Sequence, residues 1–269
     1  MCPNCRAFIN SDDRVCQYCD FSLAPRRAAI GMTGGLIGGM IPEGKFLTFT
    51  ILAVNSGLFV ATIIASSKAG NPNAIMDIDG RTLVTFGAKW TGLVFTGDWW
   101  RLVTAGFLHG GLFHFLMNSW AMFDLSATVE DFFGTSRMLV IYFVATVLGF
   151  LASCFWSPAI SVGASAGLFG LIGAMIAFGS MNRTAMGGMI KSHYSRWAVY
   201  GLILGLLGRI DNAAHLGGLA GGFLVARLAG SPPQTPWREA VWTWAGYASL
   251  AVTGYSFIRM FANLLRHSQ

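Results

Sequence analysis

Charged side chains are scarce in this chain of 269 residues: they make up 11% of it, against about 25% in an ordinary soluble domain. That scarcity argues against a water-soluble globule. Hydrophobic residues reach 54% and the mean hydropathy is +0.56. Several apolar runs approach the roughly 20 residues that are needed to cross a bilayer. The sequence therefore predicts an all-α polytopic membrane protein in contact with the lipid bilayer.

Acidic residues are fewer than basic ones, 12 against 18, which gives a formal charge of +6. The basic residues are scattered over short loops instead of one face, so no nucleic-acid partner is predicted. With a cytoplasmic amino terminus, eleven basic residues fall inside and seven outside. The positive-inside rule favours this orientation. We predict a multi-pass protein of a bacterial inner (cell) membrane.

Cysteine is also rare, and four of the five cysteines lie at the amino terminus: Cys2, Cys5, Cys16 and Cys19. Two CxxC pairs supply four thiolates for one tetrahedral metal ion. A segment of about 20 residues is too short to form a hydrophobic core, so it needs such a metal ion to fold. Disulfides would need an oxidising compartment, and a redox pair would need a supporting fold. The pattern predicts structural Zn²⁺ in a zinc-ribbon-like module, which either binds a protein partner or only caps the chain. Cys154 is predicted to pack in the core.

The chain is predicted to contain a zinc module at 1–22, a linker at 23–45, a six-span core at 46–229, a cytoplasmic linker at 230–240, and a seventh helix with its tail at 241–269. The predicted spans are 46–66, 107–125, 138–155, 163–180, 197–207, 212–229 and 241–264. The long amphipathic connection at 67–106 is expected to be functional or partly embedded. A basic loop with Arg183, Lys191 and Arg196 is expected before the fifth span.

Ionisable groups inside spans are costly, and each is a functional hypothesis. His114 and Asn118 lie four residues apart in the second span, so both side chains share one helix face. His215 lies in the sixth span. The remaining histidines are assigned no chemistry: His109, His193 and His267.

Small residues recur at four-residue spacing beside His215 and after Ser165, so the fourth and sixth spans are expected to pack closely. That would bring Ser165 and His215 to a similar depth, as a serine–histidine dyad for attack on a carbonyl. Two alternatives stay open: a histidine that only fixes packing, and a serine that only bonds the preceding turn. Asp211 is expected to cap its helix, which leaves a dyad without an acid.

Acyl transfer also needs donors for the oxygen that becomes negative. The side chains of His114 and Asn118 and the backbone amide of Ser165 are suitable donors.

Four stretches together resemble the rhomboid intramembrane serine proteases, over about residues 46–229. They are Trp100-Arg101, HGGLFHFLMN at 109–118, GASAGLFG at 163–170 and NAAHLGGLAGG at 212–222. The resemblance implies a six-helix core, to which this chain adds a seventh helix and the zinc module.

By this resemblance, Ser165 is the nucleophile and His215 the general base, while His114, Asn118 and the Ser165 amide form the oxyanion hole. The supporting residues that it implies are Gly163, Phe169, Trp100 and Arg101. Phe169 would pack against the catalytic histidine. Ala166 stands where the family motif has glycine, and its methyl group is expected to crowd the oxyanion region.

The resemblance implies cleavage of single-pass membrane proteins in or near the bilayer, with no cofactor for catalysis. A non-proteolytic member that binds or holds membrane clients is disfavoured, because the implied catalytic residues are all present. A transporter or channel would need paired intramembrane charges. The predicted spans hold almost none beyond Asp124 and Arg259, near their ends.

Overall fold

The computed structural model describes residues 16–19, 46–207, 210–230 and 234–267. The chain divides into two units after Pro42, and in the first unit only a turn at 16–19 is described. Cys2, Cys5 and most of the predicted zinc module lie outside the described residues. Within the described residues, no cluster of three histidine, cysteine or acidic side chains could hold a metal. The zinc site thus stays a prediction.

Regular structure in the described ranges is helical, apart from one isolated bridge between Lys89 and Ser161. The helices are α1 Phe46–Lys68, α2 Gly80–Thr85, α3 Thr91–Phe95, α4 Arg101–Thr104, α5 Leu112–Phe133, α6 Thr135–Trp156, α7 Ser165–Met181, α8 Ala185–Leu207, α9 Asn212–Ala229 and α10 Pro236–His267. A 3₁₀ turn, Ala105–Phe107, follows α4. The all-α class is confirmed for these residues.

Two helices, α1 and α6, are both long and apolar enough to cross a bilayer, with mean hydropathies of 2.0 and 2.3. Helix α7 is apolar but has only 17 residues. It lies at the centre, where α6, α8, α9 and α5 pack around it. Large apolar side chains cover the periphery, which suits a lipid environment.

Glycines let α7 and α9 approach closely, as the spacing of small residues predicted. A Cβ atom on Gly222 of α9 would collide with the backbone carbonyl of Gly170 on α7. One on Gly173 of α7 would collide with the carbonyl of Leu219. Any side chain at these positions would separate the helices, so their contact depends on the missing Cβ atoms.

The second, fifth and seventh predicted spans have other bounds than the helices: α10 begins at Pro236, inside the predicted linker 230–240. The second span was expected from 107, but α5 begins at Leu112. The Ile78 amide donates to the Gly110 carbonyl at 2.8 Å, and the Leu112 amide donates to the Ile75 carbonyl at 2.9 Å. The connection 67–106, called the first connection below, thus bonds to residues 110–112, at the end of the stretch 107–111 where a helix was expected. Since α5 continues to Phe133, Asp124 lies well inside the helix and not near its end, as its place in the predicted span had suggested.

The fifth span also differs from the helix that contains it. Residues 185–196 were expected to form a basic loop, but they are the first half of α8. The side chains of Lys191 and Arg196 are exposed on this helix. Hydropathy identifies apolar segments, whereas a helix forms wherever its backbone hydrogen bonds are satisfied. The polar first half of α8 is therefore helical although its hydropathy did not predict a span.

Helix α10 packs on α6 and α4. Arg137 of α6 donates two hydrogen bonds to Glu239 of α10, at 2.8 and 3.0 Å. Near the other end of α10, the Asn263 amide donates to the Thr85 carbonyl at 2.9 Å. Helix α10, which contains the predicted seventh span, is thereby bonded to the core near both ends.

Candidate active site

Ser165 and His215 meet where α7 and α9 begin. Ser165 is the first residue of α7 and His215 lies in the first turn of α9. The serine Oγ is 2.9 Å from the imidazole Nε2. With the hydroxyl donating, Nε2 accepts, which is the arrangement that a general base requires. The Nδ1 atom of His215 has no hydrogen-bond partner within the described residues.

Asp211 caps α9, as expected. Its carboxylate accepts a hydrogen bond from the Ala214 amide at 3.0 Å and another from the Ser153 hydroxyl. Its carbonyl accepts from the His215 amide at 3.1 Å. This acid therefore orients the backbone that carries His215 and does not contact the imidazole through its carboxylate.

Phe169 stacks on the His215 imidazole. The ring centroids are 4.0 Å apart and the planes differ by 11°. Behind the phenyl ring lies Gly201 of α8, where a Cβ atom would come within 2.6 Å of the Phe169 Cζ atom. A side chain at position 201 would therefore press on Phe169, and through it on the imidazole.

His114 faces the turn that leads into α7. A Cβ atom on Gly163 would lie 2.8 Å from the His114 Nε2 atom, and Gly163 has φ of +136°, a region that favours glycine. The Gly163 amide donates to the Ala105 carbonyl at 2.9 Å. The Gly110 amide donates to His114 Nδ1 at 3.4 Å. These contacts fix the imidazole beside Ser165.

Asn118 lines the same cavity as Ser165, His114 and His215. Its amide donates to the His114 carbonyl at 2.9 Å, a bond within α5. A carboxamide has two donor hydrogens, so one is left for a ligand. The structure thus gathers the four residues around one space, with Asn118 partly engaged by its own helix.

His109 is buried behind His114, with ring centroids 5.2 Å apart. Neither of its ring nitrogens has a hydrogen-bond partner within the described chain.

Trp100 and Arg101 hold the first connection together. Both side chains are buried, and both donate to the Asp98 carboxylate at 3.0 Å. Arg101 also donates to the Val84 carbonyl at 2.6 Å and to that of Ala88 at 3.3 Å. They stabilise the connection and do not reach the cavity around Ser165.

Lys89 is a residue whose part the sequence did not reveal. It is fully buried, and its Nζ donates to the carbonyls of Ser153, Ser157 and Ala159 at 3.2, 2.8 and 3.1 Å. Its amide and carbonyl exchange hydrogen bonds with Ser161 at 3.1 and 2.9 Å. Burial lowers the pKa of the Lys89 ammonium. The ammonium group therefore organises the segment between α6 and α7.

The methyl group of Ala166 lies away from the oxyanion region. A Cβ atom on Gly149 of α6 would be 2.9 Å from it, so the methyl faces α6, while His114 and Asn118 belong to α5. The expectation that Ala166 crowds the oxyanion donors is wrong, because Gly149 leaves room for its methyl.

Two cavities reach Ser165. One, of about 310 Å³, lies between α5, α7 and α8 and also exposes His215. The other, of about 690 Å³, opens towards the first connection near Asp77 and Ile160. We call the first cavity the groove. A chain could reach the serine from either one.

Residues 96–232 match the Rhomboid domain family. The chain belongs to the rhomboid family. All four stretches that carried the resemblance fall inside the matched region, and rhomboid membership makes the chain an integral membrane protein.

The chain is similar to rhomboid protease GluP of Bacillus subtilis (strain 168), with 37% identity over 164 residues, 59% of this chain and 32% of that protein. It is 37% identical over 178 residues to RHOMBOID-like protein 7 of Arabidopsis thaliana, covering 65% and 57%. RHOMBOID-like protein 5 of the same plant is 31% identical over 268 residues, covering 84% and 87%. The chain thus spans about a third of the first relative and just over half of the second.

Proposed function

We propose that this rhomboid is an intramembrane serine endopeptidase that cleaves transmembrane segments of membrane proteins through Ser165 and His215. The observation that supports this most is the 2.9 Å contact between Oγ and Nε2 in a cavity open between helices. A serine that merely bonded the preceding turn would not be directed at an imidazole. The name of the Bacillus relative, a rhomboid protease, agrees with this reading.

The reaction follows from these two groups. The Ser165 hydroxyl gives its proton to His215 Nε2 as Oγ attacks the carbonyl carbon of the scissile peptide bond. The carbon–nitrogen bond then breaks, and the imidazolium returns the proton to the leaving amine. Water next attacks the acyl-serine with His215 as base, and this releases the new carboxyl end and restores the hydroxyl.

Stabilisation of the oxyanion comes from three donors in this proposal. The Ser165 amide is the first of α7, and an amide at this position has no acceptor within its helix. His114 and the free amide hydrogen of Asn118 face the same space. Loss of one such donor typically costs about 3 kcal/mol of transition-state stabilisation.

The substrates are single-pass membrane proteins that enter the groove from the bilayer. In the predicted orientation the amino terminus is cytoplasmic and Ser165 lies near the outer end of its helix. The zinc module, with Cys2, Cys5, Cys16 and Cys19, is structural or binds a protein partner in this proposal. It takes no part in catalysis.

The test is cleavage of a reporter transmembrane protein that is co-reconstituted with the purified chain in liposomes. Ser165→Ala and His215→Ala should each abolish cleavage while the unfolding temperature persists. Ser180→Ala is the matched control, because this serine is also on α7 and its hydroxyl donates to the Ile176 carbonyl of its own helix, at 2.7 Å. Cleavage by both site variants would refute the assignment. A wild-type chain that holds but never cuts the reporter would favour the non-proteolytic alternative.

A further inference from the structure

One carboxylate lies in the groove that leads to Ser165. Asp124 is on α5, its side chain is exposed, and it lines the groove together with Ser165 and His215. The helix continues for nine residues beyond it, to Phe133. Asp124 is therefore well inside α5, and not at a helix end as its sequence position suggested.

The Asp124 carboxylate has no ion-pair partner within the described part of the chain; its electrostatic neighbour on α8 is the Tyr194 side chain, which carries no positive charge. The two ion pairs recorded there join Arg101 to Asp98 and Arg137 to Glu239. No described residue donates a hydrogen bond to the Asp124 side chain either, since the Thr128 hydroxyl donates to the Asp124 backbone carbonyl.

The polar groups that face the groove from α8 do not neutralise Asp124. His193 and Tyr194 line the same groove, but the imidazole is not within ion-pair distance of the carboxylate. The basic residues of this stretch of α8, Lys191 and Arg196, do not line the groove. Among the residues that the structure describes, the carboxylate thus lacks a cation.

An unpaired charge in an apolar span is unfavourable and generally marks a functional position. The group that would complement the Asp124 carboxylate is a cation, and a segment bound in the groove could carry it. Trp120 is one turn before Asp124 on the same face of α5, and its ring lies 5.6 Å from that of Trp197 of α8. Aromatic faces beside a carboxylate favour a bound cation further.

We propose that Asp124 binds a lysine or arginine side chain in the transmembrane segment of the substrate, on the carboxyl-terminal side of the cleaved bond. This inference rests on the proposed protease function. Asp124 follows Asn118 by six residues and His114 by ten, about 9 to 15 Å along the helix axis. A helical substrate that runs inward from Ser165 brings a residue about six to ten positions past the cleaved bond to Asp124.

The experiment compares reporters that differ at one position, about eight residues after the cleaved bond, where each carries lysine, leucine or aspartate. The wild-type chain should cleave the lysine reporter with a kcat/KM about tenfold above that of the leucine reporter, the usual effect of a charge-assisted hydrogen bond. Asp124→Asn should reduce this ratio to within about twofold of one. Asp131→Asn is the matched control, because Asp131 is an exposed acid on α5 outside the groove, and it should keep the ratio.

A charge swap provides an independent arm. Asp124→Lys should prefer the aspartate reporter over the lysine reporter. A scan of the lysine along the reporter should give the wild-type chain a maximum at about six to ten residues past the bond and no preference at two. This scan uses only the wild-type enzyme, so it tests the proposed contact even if a substituted enzyme fails to fold.

Equal cleavage of the lysine and leucine reporters by the wild-type chain would overturn the proposal. So would a tenfold ratio that survives Asp124→Asn, or a flat positional profile. The failure of the protease function itself has a different signature: no reporter is cut, or the Ser165→Ala chain cuts all of them. The two failures are therefore distinguishable.

Discussion

The missing side chain of Gly201 leaves room for Phe169 on His215, so Gly201→Ala tests how closely the imidazole must be held. The added Cβ atom would lie 2.6 Å from Phe169 Cζ and 3.1 Å from Cε2. Carbon atoms in contact are ordinarily about 3.5 to 4.0 Å apart, so the ring has to move by about 1 Å. It is already stacked at 4.0 Å on His215 and can move only by tilting or by pushing the imidazole.

The change should affect catalysis more than stability. Overpacking costs about 1 to 3 kcal/mol, and alanine returns about 1 kcal/mol over glycine inside a helix. The net loss of unfolding free energy is therefore about 0 to 2 kcal/mol. A catalytic group misplaced by about 1 Å can lose about 100-fold in rate. We expect kcat to fall by about 10- to 100-fold.

The assay is initial-rate cleavage of a reporter in liposomes, together with thermal unfolding of each variant. Gly188→Ala is the control, since it is on the same helix and a Cβ atom there meets nothing within 4 Å. It should raise stability by about 0.5 to 1 kcal/mol and leave the rate unchanged. A Gly201→Ala chain that keeps the wild-type kcat would refute the role given to the Phe169 stack.

Three further outcomes are expected. Lys89→Met leaves three carbonyls without their donor, so it should lower the free energy of unfolding by about 2 to 4 kcal/mol and reduce kcat. Lys89→Arg should partly restore both. Thermal unfolding and initial cleavage rates measure the two effects. Ala166→Gly removes a methyl group packed beside Gly149, so it should lower the free energy of unfolding by about 1 to 2 kcal/mol and keep the cleavage rate within about threefold of wild type. A tenfold faster variant would show that the methyl group crowds the oxyanion donors. Elemental analysis should find one zinc per chain, released by thiol modification without loss of protease activity, and a metal-free chain would contradict the zinc module.

The pairing of α7 with α9 could be predicted from sequence because it depends on backbone approach alone. Small residues at four-residue spacing identify a face that only another close helix can cover. The cap by Asp211 was predictable for a similar reason: it is a local contact, from a carboxylate to the Ala214 amide three residues on.

Contacts between distant segments could not be predicted in this way. Lys89 looks like any polar loop residue until the carbonyls at the end of α6, more than sixty residues later, are folded onto it. The start of α8 was missed since hydropathy does not register a helix with polar positions. The Gly201 contact with Phe169 depends on how α8 lies against α7, which no local pattern encodes.

The most direct test of the central claim measures whether His215 activates Ser165. The wild-type chain in liposomes is treated with a fluorophosphonate, which reacts with activated serines, and the modified residue is mapped by mass spectrometry. The account predicts modification at Ser165 and at least a 100-fold slower reaction in a folded His215→Ala chain, consistent with about 3 kcal/mol of lost activation. Equal labelling in His215→Ala, or labelling at a serine other than Ser165, would contradict it.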